Sequence, residues 1–151
     1  MRVFESLDEL VAAEGQVLGC SAWVAITQES VNLFADATGD HQWIHVDPER
    51  AATGPFGTTI AHGYMTLSLL PQLMSQMYAV KGIKVAINYG LNKVRFPSPV
   101  PVGSKVRATS TLKAIDRIGD AAVQLTVSTN MEIEGVAKPA CVAENVVRYI
   151  S

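Results

Sequence analysis

The chain has few cysteines, and their placement excludes a disulfide framework. Only Cys20 and Cys141 occur in 151 residues, and neither belongs to a CxxC pair or to a zinc-ligand spacing. Both lie in apolar, strand-like stretches, so we expect two buried free thiols in a reducing compartment, the cytoplasm. The first fifteen residues carry acidic side chains where a secretion signal requires an apolar core, so we expect no signal peptide.

An excess of charge of one sign is also missing. The 12 Lys and Arg residues are balanced by 14 Asp and Glu residues, and the basic residues are scattered. A nucleic acid or an anionic membrane surface is therefore not an expected partner, although a small basic patch for one phosphorylated ligand remains compatible. The most apolar window, residues 60–80, is interrupted by polar residues and a proline, which is typical of a buried helix and not of a membrane span.

Several well-known motifs are absent as well. The sequence contains no GxGxxG, no P-loop, no GxSxG and no HExxH. Nucleotide-binding folds, serine hydrolases and zincin-type proteases therefore have no support from the sequence.

Local signals predict helices in the first half of the chain. Ser6, Thr27 and Asp47 are candidate N-caps, and glycines at 15 and 39 are candidate stops. The predicted elements are a helix over 5–14, a strand over 16–26, a helix over 27–39, a short helix opened by Asp47-Pro48, a loop over 53–59 and one long buried helix over 63–79 that Pro71 should kink.

Alternating, Val/Ile/Thr-rich segments dominate the second half. They predict strands over 85–96, 104–118, 121–134 and 137–150, with hairpin turns near 119–120 and 134–135 and a proline-rich crossover at 97–103. The order of elements predicts an α+β fold, in which an antiparallel sheet wraps around the central helix. The length favours a single domain over residues 1–151.

All three histidines lie between positions 41 and 62. Asp40 and His45 are separated by a short non-helical stretch, and a carboxylate beside an imidazole suits general acid–base catalysis. The same spacing is explained equally well if His45 is an ordinary loop histidine and Asp40 is a turn residue.

His62-Gly63 comes where the long helix should begin. A free N–H at Gly63 could polarise a substrate carbonyl as an oxyanion site, because glycine allows a ligand close to the backbone. The alternatives are close packing for Gly63 and a turn-forming hydrogen bond for His62. His41 and His45 have the i, i+4 spacing of helical metal ligands, but Gly39 and Trp43 disfavour a helix there, so we expect no metal.

The segment FADATGDHQWIHVDPERA, residues 34–51, resembles the hydratase-2 motif of the MaoC-like (R)-specific enoyl-CoA hydratases. IAHGYM and LNKVRFPSPVPVG also resemble segments of this family, in particular its short NodN-like members. The resemblance implies a hot-dog fold, a homodimer joined edge to edge, and reversible hydration of trans-2-enoyl-CoA in fatty-acid metabolism without a cofactor. Gln42-Trp43 replaces the usual Asn-Pro, which bears on the acyl chain length more than on the chemistry.

The resemblance also implies roles for individual residues. Asp40 and His45 would activate a water molecule, and the Gly63 N–H would bind the thioester oxygen. Candidates for the substrate pocket are Trp43, Phe56, His62, Tyr64 and Leu67, and candidates for contacts with CoA phosphates are Lys93, Arg95 and Arg107. A hot-dog thioesterase, a non-catalytic acyl-CoA-binding subunit and a ligand-binding signalling protein remain alternatives.

Overall fold

The computed structural model describes residues 1–151. Its elements, in chain order, are β1 Arg2–Phe4, α1 Leu7–Val11, β2 Val17–Cys20, β3 Val24–Ala25, α2 Gln28–Thr38, α3 Trp43–Val46, α4 Pro48–Ala52, α5 Gly63–Ser68, α6 Leu70–Ser75, β4 Tyr78–Val80, β5 Val85–Arg95, β6 Lys105–Ile118, β7 Ala122–Ile133 and β8 Cys141–Ile150.

Side-chain caps fix the ends of the early helices, as the sequence predicts. The Thr27 hydroxyl accepts a hydrogen bond from the Ser30 N–H and begins α2. Gly39 ends α2 with φ of 78°, a left-handed conformation that glycine adopts without strain. The Asp47 carboxylate accepts from the Arg50 N–H, and Pro48 opens α4. These caps place Asp40 immediately after one helix and bring the next helices close behind it.

The main sheet is antiparallel, with the strand order β2-β6-β7-β8-β5 and β3 paired beside β2 on β6. Alternating residues of β6 and β7 point into the core, among them Val106, Leu112 and Leu125, which are fully buried. Leu70 and Leu73 of α6 fill the same core from the helical side. The predicted α+β arrangement, a sheet wrapped around a central helical segment, is therefore confirmed.

The prediction of one continuous helix over 63–79 is wrong. The segment forms two six-residue helices, α5 and α6, joined at Leu69, because Pro71 supplies no backbone N–H to continue the ladder. The helix also ends earlier than predicted, since Tyr78–Val80 pairs in parallel with β1 as a strand. The predicted strand over 16–26 is likewise divided into β2 and β3.

The prediction that both thiols are buried is half wrong. Cys141 is buried, whereas Cys20 is exposed because β2 lies at the edge of the sheet and pairs only with β6. Neither cysteine forms a disulfide. Among the helices, none has both the length and the apolar character needed to cross a membrane.

Candidate active site

His45 lies on α3, a single helical turn that two neighbouring segments hold in place. The Gln28 amide, on α2, donates to the backbone carbonyl of His45 at 2.7 Å, and the Gln28 carbonyl oxygen accepts from the Thr59 hydroxyl at 2.5 Å. The backbone N–H of Ile60 also donates to the carbonyl of Ile44. These contacts tie α3 to α2 and to the segment before α5.

The His45 ring is buried, and its hydrogen bond determines its tautomer. Nδ1 lies 2.7 Å from the backbone carbonyl oxygen of Ile60. A carbonyl only accepts, so Nδ1 carries the proton and Nε2 keeps a free lone pair. Burial lowers the pKa of His45 from 6.5, and His62 acts in the same direction, while the Ile60 carbonyl and Asp40 oppose the change. His45 is therefore a neutral base at pH 7.

His62 packs directly behind this ring. The two imidazoles are stacked, with centroids 3.8 Å apart and planes at 24°. His62 Nε2 donates to the backbone carbonyl of Asp40 at 2.9 Å, and Phe34 lies on the ring at a centroid distance of 5.0 Å. His62 Nδ1 has no hydrogen-bond partner although the residue is only 2% exposed. His62 thus contacts both halves of the predicted acid–base pair.

Asp40, His45 and His62 come together as a cluster. One side-chain nitrogen or oxygen atom of each lies within 4.8 Å of the corresponding atoms of the other two. The same cluster invites comparison with a metal site. A tetrahedral zinc holds two imidazole centroids about 5 Å apart at normal Zn–N distances. The 3.8 Å stack is tighter than that and disfavours a shared metal.

A cavity of about 340 Å³ opens beside this cluster. His45 and Gly63 contribute to its wall, together with Phe56, Thr66 and Phe96, so a base and a backbone donor face one mostly apolar space. The Gly63 N–H has no acceptor within the chain. A Cβ at Gly63 would lie 3.0 Å from the Phe96 ring, so a side chain at this position would require that ring to shift.

Four of the five predicted pocket residues lie outside this cavity. Trp43 packs against Gly54 and under the Arg50 guanidinium, and His62 lies behind His45. Tyr64 is 71% exposed and touches Phe96 edge-on. Leu67 lines a separate groove beside β5. Of the predicted set, Phe56 alone lines the cavity.

The sequence interpretation missed a second part of the cavity wall, which is lined by Phe96, Ser98, Pro99 and Val100. Phe96 ends the strand predicted over 85–96, and the other three belong to the proline-rich segment 97–103 that we assigned to a crossover. A large aromatic residue beside a rigid proline segment was the available signal. The segment meets the site because Ala61 donates to the Val100 carbonyl, a long-range contact that no local pattern predicts.

The predicted basic group is divided between two places. Lys93 and Arg95 lie on the edge strand β5, whereas Arg107 lies on β6, three strands away, or about 14 Å at normal strand spacing. Arg107 is ion-paired with Glu132 and covers the Trp23 ring at 4.4 Å. The three side chains therefore do not form one patch.

Comparison with known proteins agrees with this geometry. Residues 9–135 match the family model described as "MaoC like domain". The chain is 72% identical, over the full length of both proteins, to a "3-hydroxyacyl-thioester dehydratase Z" of Mycobacterium tuberculosis. It is 46% identical to "Nodulation protein N" of Rhizobium leguminosarum, across 91% of this chain and 87% of that protein.

A solved structure is similar as well. The "(R)-hydratase from A. caviae involved in PHA biosynthesis" superposes with a TM-score of 0.71 at 29% identity, covering 89% of this chain and 94% of that one. The fold is the hot-dog fold predicted from the sequence. The family match, the identity over the full length and the superposition agree, and the chain belongs to the MaoC-like dehydratase family.

Proposed function

We propose that this protein catalyses the reversible addition of water to a trans-2-enoyl thioester to give an (R)-3-hydroxyacyl thioester. The observation that carries the proposal is that His45, a neutral base with a free Nε2, and Gly63, whose N–H is unpaired, line the same cavity. The full-length relative named as a 3-hydroxyacyl-thioester dehydratase supports this reaction class. The relative named as an (R)-hydratase supports the R configuration.

In the hydration direction, Asp40 and His45 hold one water molecule between them. His45 Nε2 takes a proton as the water oxygen bonds to C3, and the π electrons shift towards the thioester oxygen. The Gly63 N–H donates to that oxygen as negative charge develops on it. Loss of a single oxyanion donor costs about 3–4 kcal/mol in other enzymes. A proton returned to C2 by the Asp40–His45 pair completes the addition.

The thioester itself acidifies C2, so the proposal requires no metal and no organic cofactor. The acyl chain would lie against the apolar wall that contains Phe56 and Phe96. We assign the phosphates of an acyl-CoA to Lys93 and Arg95 on β5, since Arg107 is occupied by Glu132. The side chain of Arg95 contacts only the Val94 carbonyl and is free to bind an anion.

A second copy of the chain is the proposed partner. Strand β5 is the edge of the sheet and is paired only with β8. Apolar side chains along it are between 41% and 56% exposed: Val85, Ile87, Tyr89 and Leu91. An unpaired edge with exposed apolar residues is a template for another strand. We therefore propose a homodimer joined through β5.

We also propose that residues 1–151 act as one domain. Strand β8 lies beyond the segment that the family model matches, yet it pairs with both β7 and β5 and is central to the sheet. The unpaired thiols fit a reducing compartment, and we assign the protein to the cytoplasm.

The test is hydration of crotonyl-CoA and longer trans-2-enoyl-CoAs, followed by loss of the conjugated thioester absorbance and by chiral analysis of the product. We expect an (R)-3-hydroxyacyl-CoA from the wild type and a rate about 10²–10⁴-fold lower from Asp40→Asn or His45→Gln. Free CoA without hydration would instead identify a thioesterase. Binding without turnover on any chain length would identify a non-catalytic subunit.

A further inference from the structure

His62 contacts every group that the proposed reaction uses. Its ring stacks on His45, its Nε2–H binds the Asp40 backbone, and its peptide bond leads into Gly63. We propose that His62 is the positioning residue of this site, which sets the distance between the Asp40 carboxylate and the His45 base without touching the substrate. This inference rests on the proposed function and adds a residue to it.

The Asp40 segment depends on this contact. Asp40 follows the last turn of α2, and its exposed carboxylate has one intrachain contact, a long one of 3.4 Å from the Gln42 N–H. The backbone therefore determines where the carboxylate lies. His62 is the sole hydrogen-bond donor to the Asp40 carbonyl. The side-chain contacts of this segment with α2 are long, the Asp40 N–H to the Thr38 hydroxyl at 3.4 Å and His41 Nε2 to the Asp36 carboxylate at 3.7 Å, so loss of the His62 bond would loosen it.

The other side of the pair is held separately. His45 is bound at Nδ1 by Ile60 and at its backbone by Gln28, so its ring keeps its orientation when Asp40 moves. The His62 ring fills the space behind His45 and fixes how far apart the two functional groups can be. The buried His62 side chain thus sets the distance between the Asp40 carboxylate and the His45 ring, which belong to neighbouring segments.

Packing alone does not explain why residue 62 is a histidine. Its buried Nδ1 has no partner, and an unsatisfied buried polar atom costs about 1–3 kcal/mol. A phenyl ring would pack between Phe34 and His45 without that penalty. What phenylalanine lacks is the N–H that binds Asp40, and this difference defines the test.

The experiment compares His62→Phe, which keeps the stacked ring, with His62→Gln, which keeps an amide N–H. In the hydration assay we expect His62→Phe to lower kcat about 10–100-fold, as small misplacements of reacting groups do, with KM within about threefold of the wild type. We expect partial recovery in His62→Gln. The matched control, His41→Gln, removes the exposed histidine paired with Asp36 and should behave as wild type.

A double-variant comparison separates positioning from an independent effect. If His62 acts through Asp40, Asp40→Asn combined with His62→Phe is no slower than Asp40→Asn alone. Losses that multiply, or a wild-type kcat in His62→Phe, overturn the inference. If His62→Phe does not fold, the same comparison with His62→Gln decides it.

An NMR titration keeps the inference testable if the wild type hydrates no thioester. That result would end the proposed function, and the His45 titration would then report on the contact with His62. Asp40 and His62 are the titratable groups that bear on the His45 ring. His62→Phe removes the neighbouring imidazole, which lowers the pKa of His45, and under the inference it also displaces Asp40, which raises that pKa. His62→Phe should therefore raise the His45 midpoint less when Asp40 is present than in the Asp40→Asn background, where only the first effect operates. Equal changes in the two backgrounds overturn the inference.

Discussion

The side-chain amide of Gln28 donates to the backbone carbonyl of His45 across 2.7 Å, from a residue 17 positions earlier in the chain. The same side chain accepts from the Thr59 hydroxyl, which is itself buried. Gln28 thus joins the start of α2 to the two segments that flank the candidate base. Its role was not visible in the sequence, because polar residues at the first position of a helix are common.

Replacing Gln28 should therefore weaken the attachment of the segment that carries His45, although Gln28 itself is not one of the proposed catalytic groups. Gln28→Ala leaves a buried carbonyl and a buried hydroxyl without partners, which should lower the free energy of unfolding by about 1–3 kcal/mol. We expect kcat for hydration to fall more than KM rises. Urea denaturation and steady-state kinetics measure the two effects. Gln28→Glu keeps the shape but removes the donor, and wild-type behaviour of that variant would contradict the role assigned to the amide.

The pH dependence should follow the neutral form of His45. Burial lowers the pKa of His45, so the base stays unprotonated to a pH below 6.5, and the hydration rate should decline only in that lower range. Measurement of kcat/KM against pH gives the midpoint. A midpoint at or above 6.5 would contradict the burial argument.

The same pKa shift predicts a change in stability. A histidine with a lowered pKa binds fewer protons when folded, so its contribution to stability is present above pH 6.5 and is lost as the pH falls below that value. Thermal unfolding of the wild type and His45→Gln at several pH values measures this. The wild type should lose more stability on acidification than the variant. If the stabilities of the wild type and the variant change with pH in parallel, His45 has the same pKa in the folded and the unfolded state.

Gly63→Ala should impair the reaction for a steric reason. The added methyl would lie 3.0 Å from the Phe96 ring and would move that ring within the cavity. We expect kcat/KM to drop by about 10–100-fold, since a small misplacement of the bound substrate has effects of that size. The matched double variant Gly63→Ala with Phe96→Leu makes room for the methyl group. Full recovery there would assign the loss to the contact with Phe96, whereas no recovery would contradict this steric explanation; the backbone N–H of residue 63 is present in both variants.

The proposed dimer predicts a sharp difference between two exposed apolar positions. Ile87, on the edge strand, is 41% exposed, and Leu33, on α2, is 63% exposed. Ile87→Lys should shift the protein to a monomer, because it places a charge in the proposed strand pairing. Leu33→Lys should leave the mass unchanged. Light scattering after gel filtration measures both, and a wild-type monomer would contradict the interface.

The sequence was most informative where signals are local. Thr27 and Gly39 predict the limits of α2 because capping depends on a few neighbouring residues. Alternation predicts β6 and β7 for the same reason. The break between α5 and α6 was underestimated, since a proline permits either a kink or a complete interruption, and packing against the sheet decides between them.

The sequence predicted the candidate catalytic groups of the site but not the walls of its cavity. Asp40 and His45 are five residues apart and, with His62-Gly63 further along, form a recognisable pattern. The contact between His62 and Asp40 spans 22 residues, and Phe96 reaches the cavity through pairing of distant segments. Contacts of this kind depend on tertiary structure. Trp43, Tyr64 and Leu67 were pocket candidates because they are apolar residues near the recognised motifs, whereas the fold directs them elsewhere.

The two walls of the cavity come from separate stretches of polypeptide. One carries His45 and Gly63, and the other is the rigid run from Phe96 to Val100. Mutations in the second stretch can reshape the volume of the cavity proposed for the acyl group while the proposed proton-transfer groups keep their hydrogen bonds. Substrate range can therefore diverge among descendants of this chain without a change in reaction, and variants at Phe96 and Ser98 are the natural starting points for redirecting it.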